Sequence, residues 1–392
     1  MIRVLHVFGK IDLGGAESRV MDIYRHIDRS KVQFDFVVHT PDRGFFEDEI
    51  TKMGGRVFHV PRFRLFNIIS YKKAFREFFE DYGNEFAVVH AHMTSTAAIY
   101  LPIAKKAGIK ITAAHARSAG VDPGFKGFLT RMLRKNLWKK ADNLFTCSKM
   151  AGISVFGQKA VDKGLVKFVP NAIRVGLFAF NEKYREDVRN ELNINDKFVV
   201  GHVGRLHYSK NHEFLIDVFA QLVRIYNNDP EKGENSPEPV LLLVGDGPLR
   251  SMIEQKASDL GISDKVIFAG NQKDIYKYYD AMDCFVYPSR YEGLPGTVIE
   301  AQASGLRCII SDSICEEVDI TELLTIRDLN DSAYNWAGEI YEYMKGYDIN
   351  PEDKEAMAKK RTGYAKLVYQ AGFDVTLQAQ KMTRFYESGV YE

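Results

Sequence analysis

The chain has 392 residues, of which 45% are apolar and 27% charged, with a formal net charge of +1. That length favours two domains over one, and the composition is that of an ordinary globular protein. The balanced charge excludes a polyelectrolyte and gives no ground for nucleic-acid binding, and no apolar run approaches the roughly 20 residues of a membrane-spanning helix.

Ile2 to Phe8 reads as a strand with no signal-peptide layout, so a cytoplasmic protein is expected. Four irregularly spaced cysteines (Cys147, Cys284, Cys308, Cys315) predict free, mostly buried thiols in a reducing compartment. After Gly14-Gly15-Ala16-Glu17 comes an amphipathic helix with Val20, Ile23, Tyr24 and Ile27 on one face. Strands follow at Phe34 to Val38, Val57 to Val60, Phe86 to His90, Lys110 to Ala114, Asn143 to Cys147 and Val166 to Val169. The helices between them cover Phe45 to Lys52, Tyr71 to Tyr82, Thr96 to Lys106 and the basic Lys126 to Lys140. The polar stretch from about Arg174 to Lys197 breaks the rhythm and reads as an interdomain connection. Alternation restarts with strands at Phe198 to Val203, Val240 to Val244, Lys265 to Phe268, Cys284 to Val286 and Arg307 to Ile310. Its helices are His212 to Tyr226, Leu249 to Leu260, Ile275 to Ala281 and one beginning at Pro295. Asn227 to Pro239 reads as an exposed loop, and the chain from Ser332 onward as helical. Two β-α-β series predict an α/β protein of two doubly wound, Rossmann-like domains facing across a cleft, with ligands beyond the carboxyl ends of the strands.

Several strand ends carry candidate chemistry. Gly14-Gly15 stands where backbone can approach an anion, although an ordinary βα loop looks the same. The spacing is not the dinucleotide fingerprint. His115-Ala116-Arg117, and His90 with His92, place imidazoles that can bind a hydroxyl or pass a proton; a lone histidine is more often structural. In Gly204-Arg205-Leu206-His207-Tyr208-Ser209-Lys210-Asn211, Arg205 and Lys210 suit a diphosphate, against the alternative of a solvated basic loop. Gly245-Asp246-Gly247-Pro248 reads as a structural turn. Lys126 to Lys140 is either a core helix with a solvated basic face or a helix that lies on anionic lipid, and Arg62 to Phe66 adds basic and aromatic residues to the same half. The chain has no HExxH, no cysteine-pair spacing and no Asp-x-Asp, so no metal is expected and protein cations are left to neutralise a phosphate.

The richest stretch is Tyr287 to Gly305. Glu292 lies in a Gly/Pro-rich loop and Glu300 eight positions later, on the helix that Pro295 starts. At 1.5 Å per residue that puts Glu300 about 7 Å along the axis from Pro295. Helix-start N–H groups lie between the carboxylates and suit a phosphate. Two carboxylates with free amides fit a phosphate-linked polyol such as a nucleotide sugar.

The run YPSRYEGLPGTVIEAQASG resembles glycosyltransferase family 4, whose retaining members carry a Glu-x7-Glu motif, here Glu292 and Glu300. Supporting matches are Gly14 to Glu17, Val169-Pro170-Asn171, Gly204-Arg205 with Lys210-Asn211, Gly245 to Pro248 and Asp283 to Ser289. Ser313 to Leu329 is similar to bacterial exopolysaccharide and capsule enzymes. The sequence departs from the common pattern at Gly296, where Asn is frequent, at Ala172, where Gly is frequent, and at Arg307, where Pro is frequent.

The resemblance implies the GT-B fold, with an acceptor-binding domain over 1–175, a nucleotide-sugar domain over 190–372, and a last helix, about 373–392, that packs back on the first domain. It implies transfer of a hexosyl group, with retention, from a nucleoside diphosphate sugar, expected to be UDP-linked, to a carbohydrate acceptor, expected to be lipid-linked, in surface polysaccharide synthesis. Arg205 and Lys210 are implied to bind the diphosphate, Glu300 the ribose, and Gly293, Leu294 and Pro295 the sugar or phosphate. Gly15 is implied to admit the donor, Glu292 to lie by the transferred sugar, and His115 to touch sugar or acceptor. Glu292 is either a nucleophile or a positioning group for front-face attack, the second being favoured by family analogy. The enzyme is expected in the cytoplasm with no cofactor, and contact with the inner face of the cell membrane through 126–140 stands as the alternative to a core-packed helix. A nucleotide-sugar epimerase and a non-catalytic nucleotide-sugar-binding protein are the alternatives.

Overall fold

The computed structural model describes residues 1–117, 120, 124–233, 236–346 and 359–392. Residues 234–235 of the loop read at Asn227 to Pro239, and 347–358 of the helical stretch read from Ser332, lie outside the described residues. The chain divides into two compact units, residues 1–173 with 372–392 and residues 174–371.

In the first unit, runs of Val, Ile, Phe and Ala form β1 (Ile2–Phe8), β2 (Val32–Val38), β3 (Val57–His59), β4 (Val88–Ala91), β5 (Ile111–Ala116), β6 (Asn143–Thr146) and β7 (Val166–Phe168). They pair in parallel in the order β3-β2-β1-β4-β5-β6-β7. The helices are α1 (Gly15–His26), α2 (Glu47–Lys52), α3 (Ile68–Tyr82), α4 (Thr94–Lys106), α5 (Phe125–Arg134), α6 (Lys149–Phe156) and α7 (Gln158–Asp162). Strands buried on both faces need helices on both sides, because parallel strands are joined by crossovers.

In the second unit, α8 (Glu182–Leu192) precedes β8 (Lys197–Val203), α9 (His212–Asn228), β9 (Glu238–Val244), α10 (Arg250–Asp259), β10 (Val266–Gly270) and α11 (Ile275–Ala281). Then come β11 (Cys284–Tyr287), α12 (Gly296–Ala303), β12 (Arg307–Ser311), β13 (Leu324–Arg327), α13 (Ala333–Lys345) and α14 (Tyr364–Gln370). The parallel sheet runs β10-β9-β8-β11-β12-β13. Its core joins Phe198, Val200, Leu215, Phe219, Leu241 and Val286 to Trp336 and Ile340 of α13.

The last helix, α15 (Val375–Ser388), belongs to the first unit. Met382, Phe385 and Tyr386 share a core with Val4, Val20 and Phe34. Ile173 N–H donates to Phe373 O, and Val375 N–H donates to Ile173 O, both at 2.8 Å. The two strands of chain that leave and re-enter this unit are thus zipped to each other.

Four local readings change. The polar stretch 174–197 holds α8, because its charges are buried rather than solvated: Arg185 and Arg189 reach Asp283 at 2.6 and 3.1 Å. The basic helix ends at Arg134, since Asn136 takes a left-handed φ of 62° before a short 3-10 turn at Leu137–Lys139. Phe125, Phe128 and Met132 on that helix are exposed. Pro295 is the N-cap of α12, with ψ at 107°, so helical geometry begins one residue later. The strand β13 carries no buried alternation, which is why periodicity misses it.

Asp283 is fully buried and also accepts from Val199 N–H at 2.7 Å. Burial pushes its pKa up, but Arg185 and Arg189 hold it down to about 2. Its stabilisation is therefore present above the ordinary carboxylate pKa, about 4, and is lost as pH falls towards 2. Asp283→Ala strands two buried guanidinium groups and is expected to lower unfolding free energy by about 3 kcal/mol, read by chemical denaturation. A loss near zero removes this cluster from the second unit's stability.

Candidate functional site

Ligands of doubly wound sheets bind where the strand order reverses. In the second unit that point lies between β8 and β11, whose ladder is short: Cys284 pairs with Val200 and Phe285 with Gly201. Beyond it the imidazole of His202 donates from Nδ1 to Val286 O at 2.9 Å, taking the place of a backbone donor. The strands part, and each sends out a loop.

The loops are tied together. Arg290 N–H donates to Ser209 O at 2.8 Å, and its Nη1 to Tyr208 O at 2.6 Å. Its guanidinium lies 4.2 Å from the Tyr208 ring centroid. Ser311 at the end of β12 and Ser313 in the turn after it donate to Ser289 O at 2.6 and 2.5 Å. Gly245-Asp246-Gly247 supports the first loop: Gly245 has φ +128°, and a Cβ there would lie 2.2 Å from Gly204 O.

Between the loops, Lys210 Nζ lies 2.5 Å from Glu292 Oε1 and also contacts the Tyr287 hydroxyl. The same carboxylate oxygen accepts from Tyr287 at 3.3 Å and Ser289 at 3.2 Å. Burial works against the Lys210 charge, yet Tyr287 and Glu292 raise its pKa above the usual value, so the ammonium stays charged. Arg205 is exposed and has no side-chain partner among the described residues. The N-terminus of α12 has no side-chain cap, and of its first N–H groups Val298 donates to Pro295 O at 3.2 Å. Gly293, Leu294 and Pro295 form the buried wall just before it. Glu300, the fifth residue of α12, is buried and accepts from the Tyr279 hydroxyl at 2.9 Å. The two carboxylates thus have different settings, one in the loop crevice and one inside the helix packing.

In the first unit, Gly15 opens α1, and a Cβ there would meet nothing within 4 Å. His115 lies in a row of imidazoles on one sheet face. The register pairs His6 with His90, and His92 and His115 follow two positions on along β4 and β5. Arg117 Nε donates to His92 Nδ1 at 3.2 Å, Nη2 lies 3.4 Å from His115 Nδ1, and Nη1 donates to Asn171 Oδ1 at 2.8 Å. Arginine only donates, so both histidines carry their proton on Nε2. His92 then donates to His6 Nδ1 at 3.0 Å, and His90 donates from Nε2 to His115 Nδ1 at 3.3 Å while its Nδ1 accepts from Tyr386 at 2.9 Å. Burial lowers all four pKa values, that of His90 to about 3, so the row is neutral. Ligand atoms of His6, His90 and His92 lie within 4.8 Å of one another, but their lone pairs face donors and the Arg117 charge stands beside them. His115 is buried, with its Nδ1 occupied.

Arg117 and Tyr287 have roles here that residue-by-residue reading left unassigned. The signal for Arg117 was period two: His115 and Arg117 must share a face. Arg117→Met is expected to unlock the tautomers, visible as changed imidazole 15N shifts of His92 and His115. It should also cost about 2 kcal/mol of stability. Unchanged shifts overturn the donor assignment.

Comparison with known proteins adds an independent line. A family model described as glycosyl transferases group 1 matches residues 184–322, and one described as Glycosyltransferase Family 4 matches 13–176. A Bacillus subtilis protein named as glycosyltransferase EpsF is 37% identical over 343 residues, 86% of each chain. The capsular polysaccharide biosynthesis glycosyltransferase CapH of Staphylococcus aureus is 24% identical over 82% of this chain and 84% of its own length. Among solved structures, Anabaena HepE in complex with UDP-glucose has a TM-score of 0.76 at 19% identity, with both chains fully covered. That likeness carries the GT-B fold: two parallel-sheet, Rossmann-like units.

Proposed function

The chain belongs to the family 4 glycosyltransferases, and from that membership we propose that it moves a hexosyl group, with retention, from a UDP-linked sugar to a lipid-linked carbohydrate acceptor in surface polysaccharide synthesis. The observation that carries this is the Lys210–Glu292 pair at the switch point of the second unit, with the exposed Arg205 on the same loop as Lys210 and the start of α12, which has no side-chain cap, just after the loop of Glu292. CapH lends support for the polysaccharide, and HepE for the UDP-linked donor.

The donor's diphosphate draws Lys210 away from Glu292 and engages Arg205 and the amides around Leu294. These groups then neutralise the charge that grows on the leaving phosphate, which is electrostatic stabilisation by groups already in place. With no Asp-x-Asp in the chain, these cations do that work without a metal ion. Glu300 anchors the ribose. Glu292, released by Lys210, stands by the transferred sugar and positions it for front-face attack, the leaving phosphate taking the acceptor's proton. The acceptor is assigned to the first unit, with Gly15 admitting the donor and His115 serving the sugar or acceptor. Among the described residues no helix is long and apolar enough to cross a membrane. Exposed Phe125, Phe128 and Met132 next to Arg131, Arg134 and Lys135 instead support docking on an anionic bilayer.

Screening nucleotide sugars by thermal stabilisation identifies the donor. Arg205→Ala and Lys210→Ala are each expected to lower turnover of that donor about a hundredfold while the fold stays intact. Turnover near wild type in both sinks the diphosphate clamp. Donor consumption without any acceptor marks an epimerase instead, and binding without turnover a non-catalytic protein. Changing Lys135, Lys139 and Lys140 to Glu is expected to lower sedimentation with anionic liposomes about tenfold. Equal partitioning of variant and wild type returns that surface to an ordinary solvated face.

A further inference from the structure

Glu292 is held on one oxygen only. Oε1 accepts from Lys210, Tyr287 and Ser289, at 2.5, 3.3 and 3.2 Å, while Oε2 has no partner among the described residues. The three donors are not equivalent. Lys210 is a mobile charge that a diphosphate can draw off, and Ser289 is a short side chain fixed on its own loop.

Tyr287 differs from both. It is the last residue of β11, and its ring is fully buried and packed on both neighbouring rings and a cation. One face stacks on His202, with centroids 5.0 Å apart and planes at 14°, and Phe285 stacks at 5.7 Å. The Lys210 ammonium lies 5.0 Å from the ring centroid. His202 is itself fixed by its bond to Val286 O, and the missing Cβ of Gly204 leaves the space where an added carbon would meet His202 Nε2 at 3.3 Å and Lys210 Cε at 3.6 Å. The phenol oxygen therefore sits at a fixed point between Lys210 and Glu292, accepting from the one and donating to the other.

We propose that Tyr287 is a positioning residue whose hydroxyl keeps Glu292 Oε1 in place when Lys210 turns from the carboxylate to the donor's diphosphate, leaving Oε2 directed at the sugar. This rests on the donor reading above. The hydroxyl matters most after Lys210 has left, so its loss falls on the chemical step more than on donor binding.

Tyr287→Phe keeps the ring, its stacking on His202 and its cation contact, and removes only the oxygen. With the donor found by screening, kcat is expected to fall about tenfold, as for a hydrogen bond to a charged group, with the donor KM and the unfolding midpoint little changed. Ser289→Ala is the second variant and should give a smaller loss of kcat, because Tyr287 remains. In a Glu292→Gln background the Tyr287→Phe change should cost less, since a neutral amide oxygen replaces the charged acceptor. Wild-type kcat in Tyr287→Phe overturns the inference, as does a full, additive effect in the Glu292→Gln background. If Tyr287→Phe proves too unstable to assay, wild-type kcat in Ser289→Ala together with an unshifted Glu292→Gln cycle for that residue overturns the anchoring of Oε1. Wild-type protein that turns over no nucleotide sugar overturns the donor reading itself, and this inference with it.

Discussion

The second unit depends on how little backbone pairing joins β8 to β11. Two register pairs hold the strands together at the point where strand order reverses. A ladder that short is reinforced from both ends by side chains. Before it, Asp283 is fixed by Arg185 and Arg189 and takes the Val199 N–H. Beyond it, His202 supplies a donor to Val286 O, and Lys210 meets Glu292 across the gap. The crevice exists because the strands diverge, and it keeps its shape because charge and imidazole replace the missing backbone hydrogen bonds. Buried charges are costly unless paired, so these contacts are also the ones the fold cannot lose cheaply.

The first unit uses the same kind of strand order with different contents. Its switch point lies between β1 and β4, and the face behind it is filled by imidazoles rather than aliphatic side chains. Arg117 sets the tautomers of the row, while the Nε2 atoms of His6 and His115 are buried without a hydrogen-bond partner among the described residues. Tyr386 connects the row to α15, so the last turn of the chain completes the polar network as well as the apolar core. The paired connections at Ile173 and Phe373–Val375 make that return compatible with a separate unit between them.

Much of this is legible in the amino-acid sequence. Strands β1, β8 and β11 are short apolar runs bounded by turn residues, and the alternation with helices admits few topologies. Glu292, Arg205 and Lys210 were legible because each follows a strand end. The helix α8 was not, because Arg185 and Arg189 look like surface residues until their carboxylate, almost a hundred positions away, is known. The break after Arg134 was missed because an asparagine in the left-handed region leaves no mark in hydrophobic periodicity. Tyr287 reads as one more apolar strand residue; only its neighbours reveal that its oxygen matters.

The amino-acid order by itself determined the class of fold, the family, and which cations and carboxylates lie at strand ends, because these follow from local periodicity and from motifs continuous in the chain. Tertiary structure alone decided which carboxylate each cation meets, which oxygen of Glu292 is held and which is left open, and where the protons of four histidines lie. Those are properties of pairs distant in sequence, and the physical reason is plain: ion pairs and hydrogen bonds are set by distances of about 3 Å, which no spacing along a chain encodes.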